Sequence, residues 1–262
     1  MMGSVKFLLK QERNHTMRYV VIDLEFNQPF DFPKGRKTLL EPLCPCEIIQ
    51  IGAVRMDENF QITDTRDFLI NPTVYKRIHP FVNRITGLDM EMLSGHETFP
   101  DVFAKFVEFA GEPPYIFCVW GGNDIHELFG NAEYHKLDTA ALSGEYIDVQ
   151  ALASVKMNLP SGMNVGLKNA VEGFGLAGDA PFHNALNDAV YTAEIFALVH
   201  TDEMKVQRYQ TIKVEGKNFR FSSQPLFRFV EKELGRKLSK KEKSLYKKVY
   251  ELGREKRFEE ND

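Results

Sequence analysis

Tyr19-Val-Val-Ile-Asp23 is the segment that most restricts what this chain can fold into. Its apolar residues run on without a polar alternate, so it reads as a strand buried on both faces. Such a strand needs a sheet covered by another layer on each side. At 262 residues the chain has room for one generous domain, or for one domain plus a small appendage. Hydrophobic residues at 43% and charged residues at 27% are ordinary globular values and exclude a disordered or collagenous chain. No run approaches the roughly 18 apolar residues of a membrane helix. The longest candidate, Phe196 to Val199 with its flanks, is interrupted within a few residues. Three cysteines make no disulfide framework, so a reducing, cytoplasmic setting is expected.

Around that first strand the pattern assigns further elements. Gln28 to Pro45 carries Pro29, Pro33, Gly35, Pro42 and Pro45 and reads as a loop. Glu47 to Arg55 reads as a second strand and Asp67 to Asn71 as a third, closed by Pro72, which fits an antiparallel meander. The period then changes. Phe99 to Phe109 spaces Val102, Phe103, Phe106 and Val107 as a helix does. Tyr115 to Trp120 returns to strand, Asn123 to Gly130 to helix, and Tyr146 to Asp148 to a brief strand. Gly166 to Phe174 and Asn184 to Val199 complete the series as helices. Strands first, with β and α alternating later, imply an α/β layer fold with a mixed sheet flanked by helices.

The ends differ in character from the middle. Residues 1–17 hold Lys6, Lys10 and Arg13 around an apolar patch, Val5 to Leu9, that is shorter than a signal-peptide core. They are expected to be a disordered extension. The compact domain is expected over residues 18–200, and residues 201–262 form a basic helical extension. Between Lys213 and Arg257 there are 15 Lys and Arg against 6 Asp and Glu, which leaves 18 basic and 31 acidic residues elsewhere. Within this tail, Leu226, Phe229, Val230 and Leu234 share one helical face, and Leu245, Val249 and Leu252 share another. Ser239-Lys-Lys-Glu242 has capping-box form. The expectation is a helical hairpin with packed apolar stripes and solvent-facing lysines that grip phosphates; the alternative is a solvated Lys-rich face on a hairpin that only covers an apolar patch.

Three acidic clusters could carry chemistry. Asp23 and Glu25 are two apart at the end of the first strand and point to the same side. Carboxylates held side by side repel unless a cation sits between them, and hard oxygen ligands suit Mg²⁺ or Mn²⁺. Asp124 follows Trp120-Gly-Gly-Asn directly after a strand, where paired glycines permit a sharp turn. His183 and Asp188 lie where a loop enters a helix. A histidine there can take a proton from water at neutral pH. Each fragment alone is more simply a helix start or a solvated pair. Cys44-Pro-Cys46 lacks two partner ligands and reads as loop sequence.

Taken together, Asp-x-Glu, the later Asp and His-x4-Asp resemble the DEDDh group of DnaQ-like 3′–5′ exonucleases, over roughly Arg18 to His200. Glu47-Ile-Ile-Gln-Ile-Gly-Ala-Val looks like that family's second strand, and Ile85-Thr-Gly-Leu88 like its substrate loop. His183-Asn-Ala-Leu-Asn-Asp188-Ala is similar to its third motif. Asn184, four residues before Asp188, does not fit the sister group that carries Tyr there. Trp120-Gly-Gly-Asn-Asp124 and the Pro45-Cys-Glu47 run look most like the enhanced-RNAi-type and sporulation-inhibitor-like branch. The loop Asn27-Gln28-Pro29-Phe30 departs from the small Thr or Cys residues common after the first motif.

This resemblance implies a ribonuclease H-like fold and a phosphodiesterase using two Mg²⁺ or Mn²⁺ ions. Asp23, Glu25, Asp124 and Asp188 would hold the metals and His183 would be the base. Glu25, Phe26, Thr86, Gly87, Leu88, Trp120 and His183 would contact substrate. The implied partner is the 3′ end of single-stranded RNA or DNA, with RNA favoured, cut to nucleoside 5′-monophosphates; no membrane is involved. The alternatives are a DNA proofreading or repair exonuclease, and a nucleic-acid-binding protein that kept the fold without catalysis. The second should have lost a carboxylate or the histidine, and all five are present.

Overall fold

The computed structural model describes residues 18–28, 31, 32, 36, 37, 44, 46–210, 227, 230, 231 and 234–254. Residues 1–17 fall outside it. The chain forms two units, residues 1–210 and 211–262.

A six-stranded mixed sheet organises the first unit. Strand β1 (Tyr19–Asn27) lies inside it, antiparallel to β4 (Glu47–Met56), which pairs antiparallel with β5 (Ile62–Leu69). On its other side β1 is parallel to β6 (Ile116–Val119), followed by parallel β7 (Glu145–Asp148) and antiparallel β8 (Gln207–Arg208). The full order is β5-β4-β1-β6-β7-β8. Two short strands, β2 (Asp31–Phe32) and β3 (Arg36–Lys37), pair within the expected loop.

Helices cover both faces, as the doubly buried first strand requires. Val20, Ile22 and Leu24 share a core with Phe103 and Phe106 of helix α3 (Phe99–Ala110) and with Leu128 of α4 (Asn123–Tyr134). Tyr19 and Val21 face the other way. They pack with Ala153 of α5 (Val149–Lys156), Val171 of α6 (Leu167–Gly173) and Ile195 and Phe196 of α7 (Ala185–Val199). Burying each large side chain contributes about 1.5–3 kcal/mol, so both layers are strongly held. Two short helices, α1 (Pro80–Thr86) and α2 (Met90–Leu93), precede α3.

The third strand runs over Ile62–Leu69 rather than Asp67 to Asn71, and Asn71 makes only an isolated bridge to Thr98. It is an edge strand with exposed Ile62 and Thr63, held by backbone pairing to β4, so its sequence lacks an apolar run. The first unit also continues past His200. Strand β8 pairs with β7, and the Tyr209 ring stacks on Phe129 at 4.0 Å.

Within residues 211–262, helix α8 (Lys240–Arg254) forms where the capping box points. The Ser239 N–H donates to Glu242 Oε2 at 2.8 Å, and the Glu242 N–H donates back to Ser239 Oγ at 3.3 Å. Of the expected apolar stripes, Val230 is half-buried, whereas Leu234 is 46% exposed and Leu245 is 60% exposed. Tyr246 takes the inward position beside Glu242 and Lys243. Leu226 and Phe229, and the side chains of Val249 and Leu252, lie outside the described residues. No described helix is long and apolar enough to cross a membrane.

Candidate active site

Strands β1 and β6 run parallel, so their carboxyl ends share one edge of the sheet, where α/β folds place ligands. At that edge the odd-numbered face of β1 changes from Tyr19 and Val21 to Asp23 and Glu25. Asp23 lies opposite Gly52 of β4, and Glu25 opposite Gln50. The register then skips a residue, pairing Phe26 with Ile48. Phe26, on the even side, packs against the α3/α4 core rather than beside the carboxylates.

The close approach of α7 completes this edge. A β-carbon on Gly52 would fall 2.0 Å from the Ala185 carbonyl, so only glycine lets the start of α7 lie over the strand at Asp23's partner. Gln50, fully buried, fastens the contact. Its Oε1 accepts the Ala185 N–H at 3.2 Å, one of the unpaired donors of a helix start, while its Nε2 donates to Asp67 at 2.8 Å. Asp188 lies in the first turn of that helix, 7% exposed.

His183 stands just before the Asn184 cap with φ of 62°, a left-handed conformation costly for a side chain other than glycine. Its N–H donates to Asp188 Oδ2 at 3.0 Å and its side chain is exposed. Helix α7 holds the loop ahead of it. Asn187 Nδ2 donates to the Pro181 carbonyl at 2.9 Å. The Tyr191 hydroxyl accepts from the Ala180 N–H and donates to the Ala180 carbonyl, both at 2.8 Å, and its ring stacks on Phe182. Asn187, Asp188 and Tyr191 thus fix the backbone that presents the imidazole.

Asp124 enters from the far side. Gly121, at φ of 86°, turns the chain after β6, and its N–H donates to Asp148 at 3.3 Å. Asp124 then falls in the first turn of α4, 8% exposed. Trp120 packs against the α7 side of the sheet, with its indole N–H buried and unpartnered.

The four carboxyls press on one another. Burial, then Asp124, Asp188 and Glu25, hold Asp23 well above the usual carboxylate range. Burial and then Asp188 push Glu25 up to about 7. Burial, then Glu25 and Glu127, keep Asp124 well above its ordinary value. Asp188 is raised by burial but held back by the His183 N–H and ring. Such a set ionises together only with cations among it. Ligand atoms of Glu25, His183 and Asp188 lie within 4.8 Å of one another, and Asp188 Oδ1 is buried with no hydrogen-bond partner. An oxygen-rich set with an unused buried oxygen fits a hard divalent cation.

Residues 20–196 match the family model of exonucleases, RNase_T. The chain belongs to this exonuclease family. It is a DnaQ-like 3′–5′ exonuclease with the ribonuclease H-like fold, and its family is metal-dependent. The exonuclease is 28% identical over 199 residues to DNA polymerase III subunit epsilon of Aquifex aeolicus strain VF5, covering 75% of this chain and 87% of the relative. It is 23% identical over 193 residues to the probable 3′-5′ exonuclease KapD of Bacillus subtilis strain 168, covering 74% and 89%. The nuclease domain of 3′hExo, a DEDDh family member solved bound to rAMP, superposes with a TM-score of 0.62 at 18% identity. That alignment covers 75% of this chain and 99% of the other, and it speaks for the fold.

The Thr86-Gly87-Leu88 turn ends α1. Gly87 caps the helix at φ of 75°, and the Thr86 hydroxyl donates to the Val82 carbonyl at 2.9 Å and accepts from the Leu88 N–H at 3.1 Å. Leu88 is 5% exposed and packs with Ile49, Val82 and Leu93, so its side chain shapes the turn instead of presenting an apolar surface. Sequence reasoning missed Gln50, Gly52 and Tyr191 as supports of the site. A glycine inside an otherwise unbroken buried strand was the available signal for Gly52.

Proposed function

We propose that this exonuclease removes nucleoside 5′-monophosphates from the 3′ end of single-stranded nucleic acid, RNA in preference to DNA, in the cytoplasm. Asp23, Glu25, Asp124 and Asp188 would hold two Mg²⁺ or Mn²⁺ ions. When bound, such ions acidify water and stabilise charge on a transferring phosphoryl group. The observation that carries the reading is an exposed imidazole, His183, beside a buried Asp188 oxygen without a partner. The backbone of His183 is held in a strained conformation and, among the described residues, its ring makes no hydrogen bond, which leaves a ring nitrogen to take the proton from the attacking water. Asp188 meanwhile stays tied to the same residue's N–H, so the metal ligand and the base keep one spacing. The backbone at Gly87, the indole of Trp120 and the end of β1 at Glu25 and Phe26 are the surfaces we assign to the terminal nucleotide.

One solved structure of this fold shows 3′-end specific recognition of a histone mRNA stem-loop by a 3′-exonuclease, which supports RNA. The similarity to a DNA polymerase III subunit favours the second reading, a DNA proofreading or repair exonuclease. Degradation of 3′- and 5′-labelled RNA and DNA oligonucleotides with Mg²⁺ or Mn²⁺ decides between them. A ladder shortening from the 3′ end, faster on RNA, is expected. Faster cleavage of DNA would select the second reading, and internal cuts or no release would overturn both.

A further inference from the structure

We propose that helix α8 of the second unit binds the phosphodiester backbone of single-stranded nucleic acid through a stripe of lysines. The partner class rests on the function proposed above; the stripe itself rests on how the helix sorts its charges.

The two acids of this unit whose side chains are described are committed to local pairs. Glu231 accepts from Lys237 and Lys243, each at 3.2 Å, and from the Leu238 N–H at 3.1 Å. Glu242 accepts from both guanidinium nitrogens of Arg236, at 3.1 and 2.6 Å, besides closing the capping box. These pairs use Arg236, Lys237 and Lys243 and hold Glu242 and Lys243 on the half-buried side of α8, with Tyr246. Lys240, Lys241, Ser244, Leu245, Lys247 and Lys248 are the exposed residues. At about 100° per residue, the four lysines and Ser244 fall within roughly a third of the helix circumference. Among the described residues, Lys240, Lys241 and Lys248 form no ion pair with a carboxylate. Glu242 is the single acid between residues 240 and 248, and it faces inward. Glu251 comes a turn later.

Geometry favours a strand of phosphates over the other polyanion such a helix could meet, an anionic bilayer. The pairs Lys240/Lys241 and Lys247/Lys248 are separated by seven residues, about 10 Å along the axis. That spacing suits successive contacts along one backbone. A helix lying in a bilayer inserts a broad apolar face. Here Leu245 is the one apolar side chain among the exposed residues from 240 to 248, and Tyr246 turns inward. A lysine reads charge rather than sequence, so the contact is independent of base identity.

The test uses the full chain with Lys240, Lys241, Lys247 and Lys248 replaced by Ser, alongside the unaltered chain. Binding of a labelled 20-nucleotide single strand is measured across NaCl concentrations with EDTA present, and hydrolysis of a dinucleotide is measured with Mg²⁺. Each lost phosphate contact removes about 0.7 from the slope of log K against log[salt], so the expected slope falls by roughly 3 and affinity at low salt by at least about tenfold. Dinucleotide turnover and the circular dichroism spectrum are expected to be unchanged. An unaltered slope in a folded variant overturns the inference, as does a slope that changes only for vesicles containing phosphatidylserine. Because binding is read without turnover, a chain that binds through α8 but cuts nothing sinks the proposed function and leaves the stripe standing. A chain that cuts with an unaltered slope does the reverse.

Discussion

Glutamates of the two units occupy opposite extremes of one chemical property. Glu25, buried beside Asp188, is pushed up to about 7, whereas Glu231 and Glu242, on the second unit, are pulled down to about 2. At the second unit each carboxylate has basic partners and backbone donors, led by the Leu238 N–H for Glu231 and by Arg236 for Glu242. At the sheet edge, four carboxylates converge with only the His183 N–H and ring to offset them. The difference separates charge that organises a fold from charge that awaits a ligand. Satisfied acids cap and staple; unsatisfied, mutually raised acids store a demand for cations.

The comparison breaks most decisively at the base. His183→Ala is expected to lower the rate about 10²–10⁴-fold, the usual contribution of a positioned general base. The cation-induced rise in melting temperature should persist, because the carboxylates remain. A variant retaining full activity would move the base elsewhere.

Asp23→Asn is next. It keeps shape and removes one of the repelling charges, so activity should fall at least about a hundredfold, or roughly 2.7 kcal/mol of barrier. The melting temperature in EDTA should hold or rise, since the raised carboxyl strains the metal-free fold. Full activity with excess Mg²⁺ would remove Asp23 from the metal site.

A pH series sharpens the contrast. With its carboxyl raised by burial and Asp188 from an ordinary 4.5 to about 7, the folded chain binds the Glu25 proton more tightly than the unfolded chain does. Metal-free stability therefore falls as pH rises between those values. Divalent cations bind the ionised form, so the rise in melting temperature given by Ca²⁺ should be larger at pH 8 than at pH 5.5. Equal shifts at both would show that the acids are not coupled to cation binding.

The smallest effect is expected at Tyr191→Phe. It keeps the ring stacked on Phe182 and deletes the two hydrogen bonds to Ala180, costing about 1 kcal/mol of stability. Activity should drop several-fold in kcat with KM unchanged. A change in KM alone would mean that Tyr191 shapes the substrate surface instead of the histidine loop.

What could be read from the sequence was what depends on neighbours in the chain. Asp23 and Glu25 share a face because strands alternate, and Ser239 and Glu242 cap one helix because of their spacing. The layers on both faces followed from the doubly buried first strand, and the mixed sheet from strands first with β and α alternating later. Helix α5 hides behind a dual role: Asp148 ends β7 and at the same time caps the helix by accepting the Ala151 N–H. The partial packing of Phe26 on the core beneath α3 and α4, and the packing of Leu88 on Ile49 of β4, come from elements that the local pattern does not name. Gln50 and Gly52 acquire their roles only where α7 lands, and the backbone of His183 bends left-handed only because Asp188 and the Asn184 cap hold it. No local pattern encodes that docking.

The Gly52–Ala185 contact also bears on how the protein is made. Asp23 and Glu25 emerge from the ribosome early, while Asp188 and His183 lie near the end of the compact unit. A nascent or prematurely terminated chain that stops before His183 carries Asp23, Glu25 and Asp124 but neither the base nor the last acid. It also lacks the helix whose backbone closes over Gly52. Under the roles proposed above, such a fragment is expected to cut nothing until the last helix has been made.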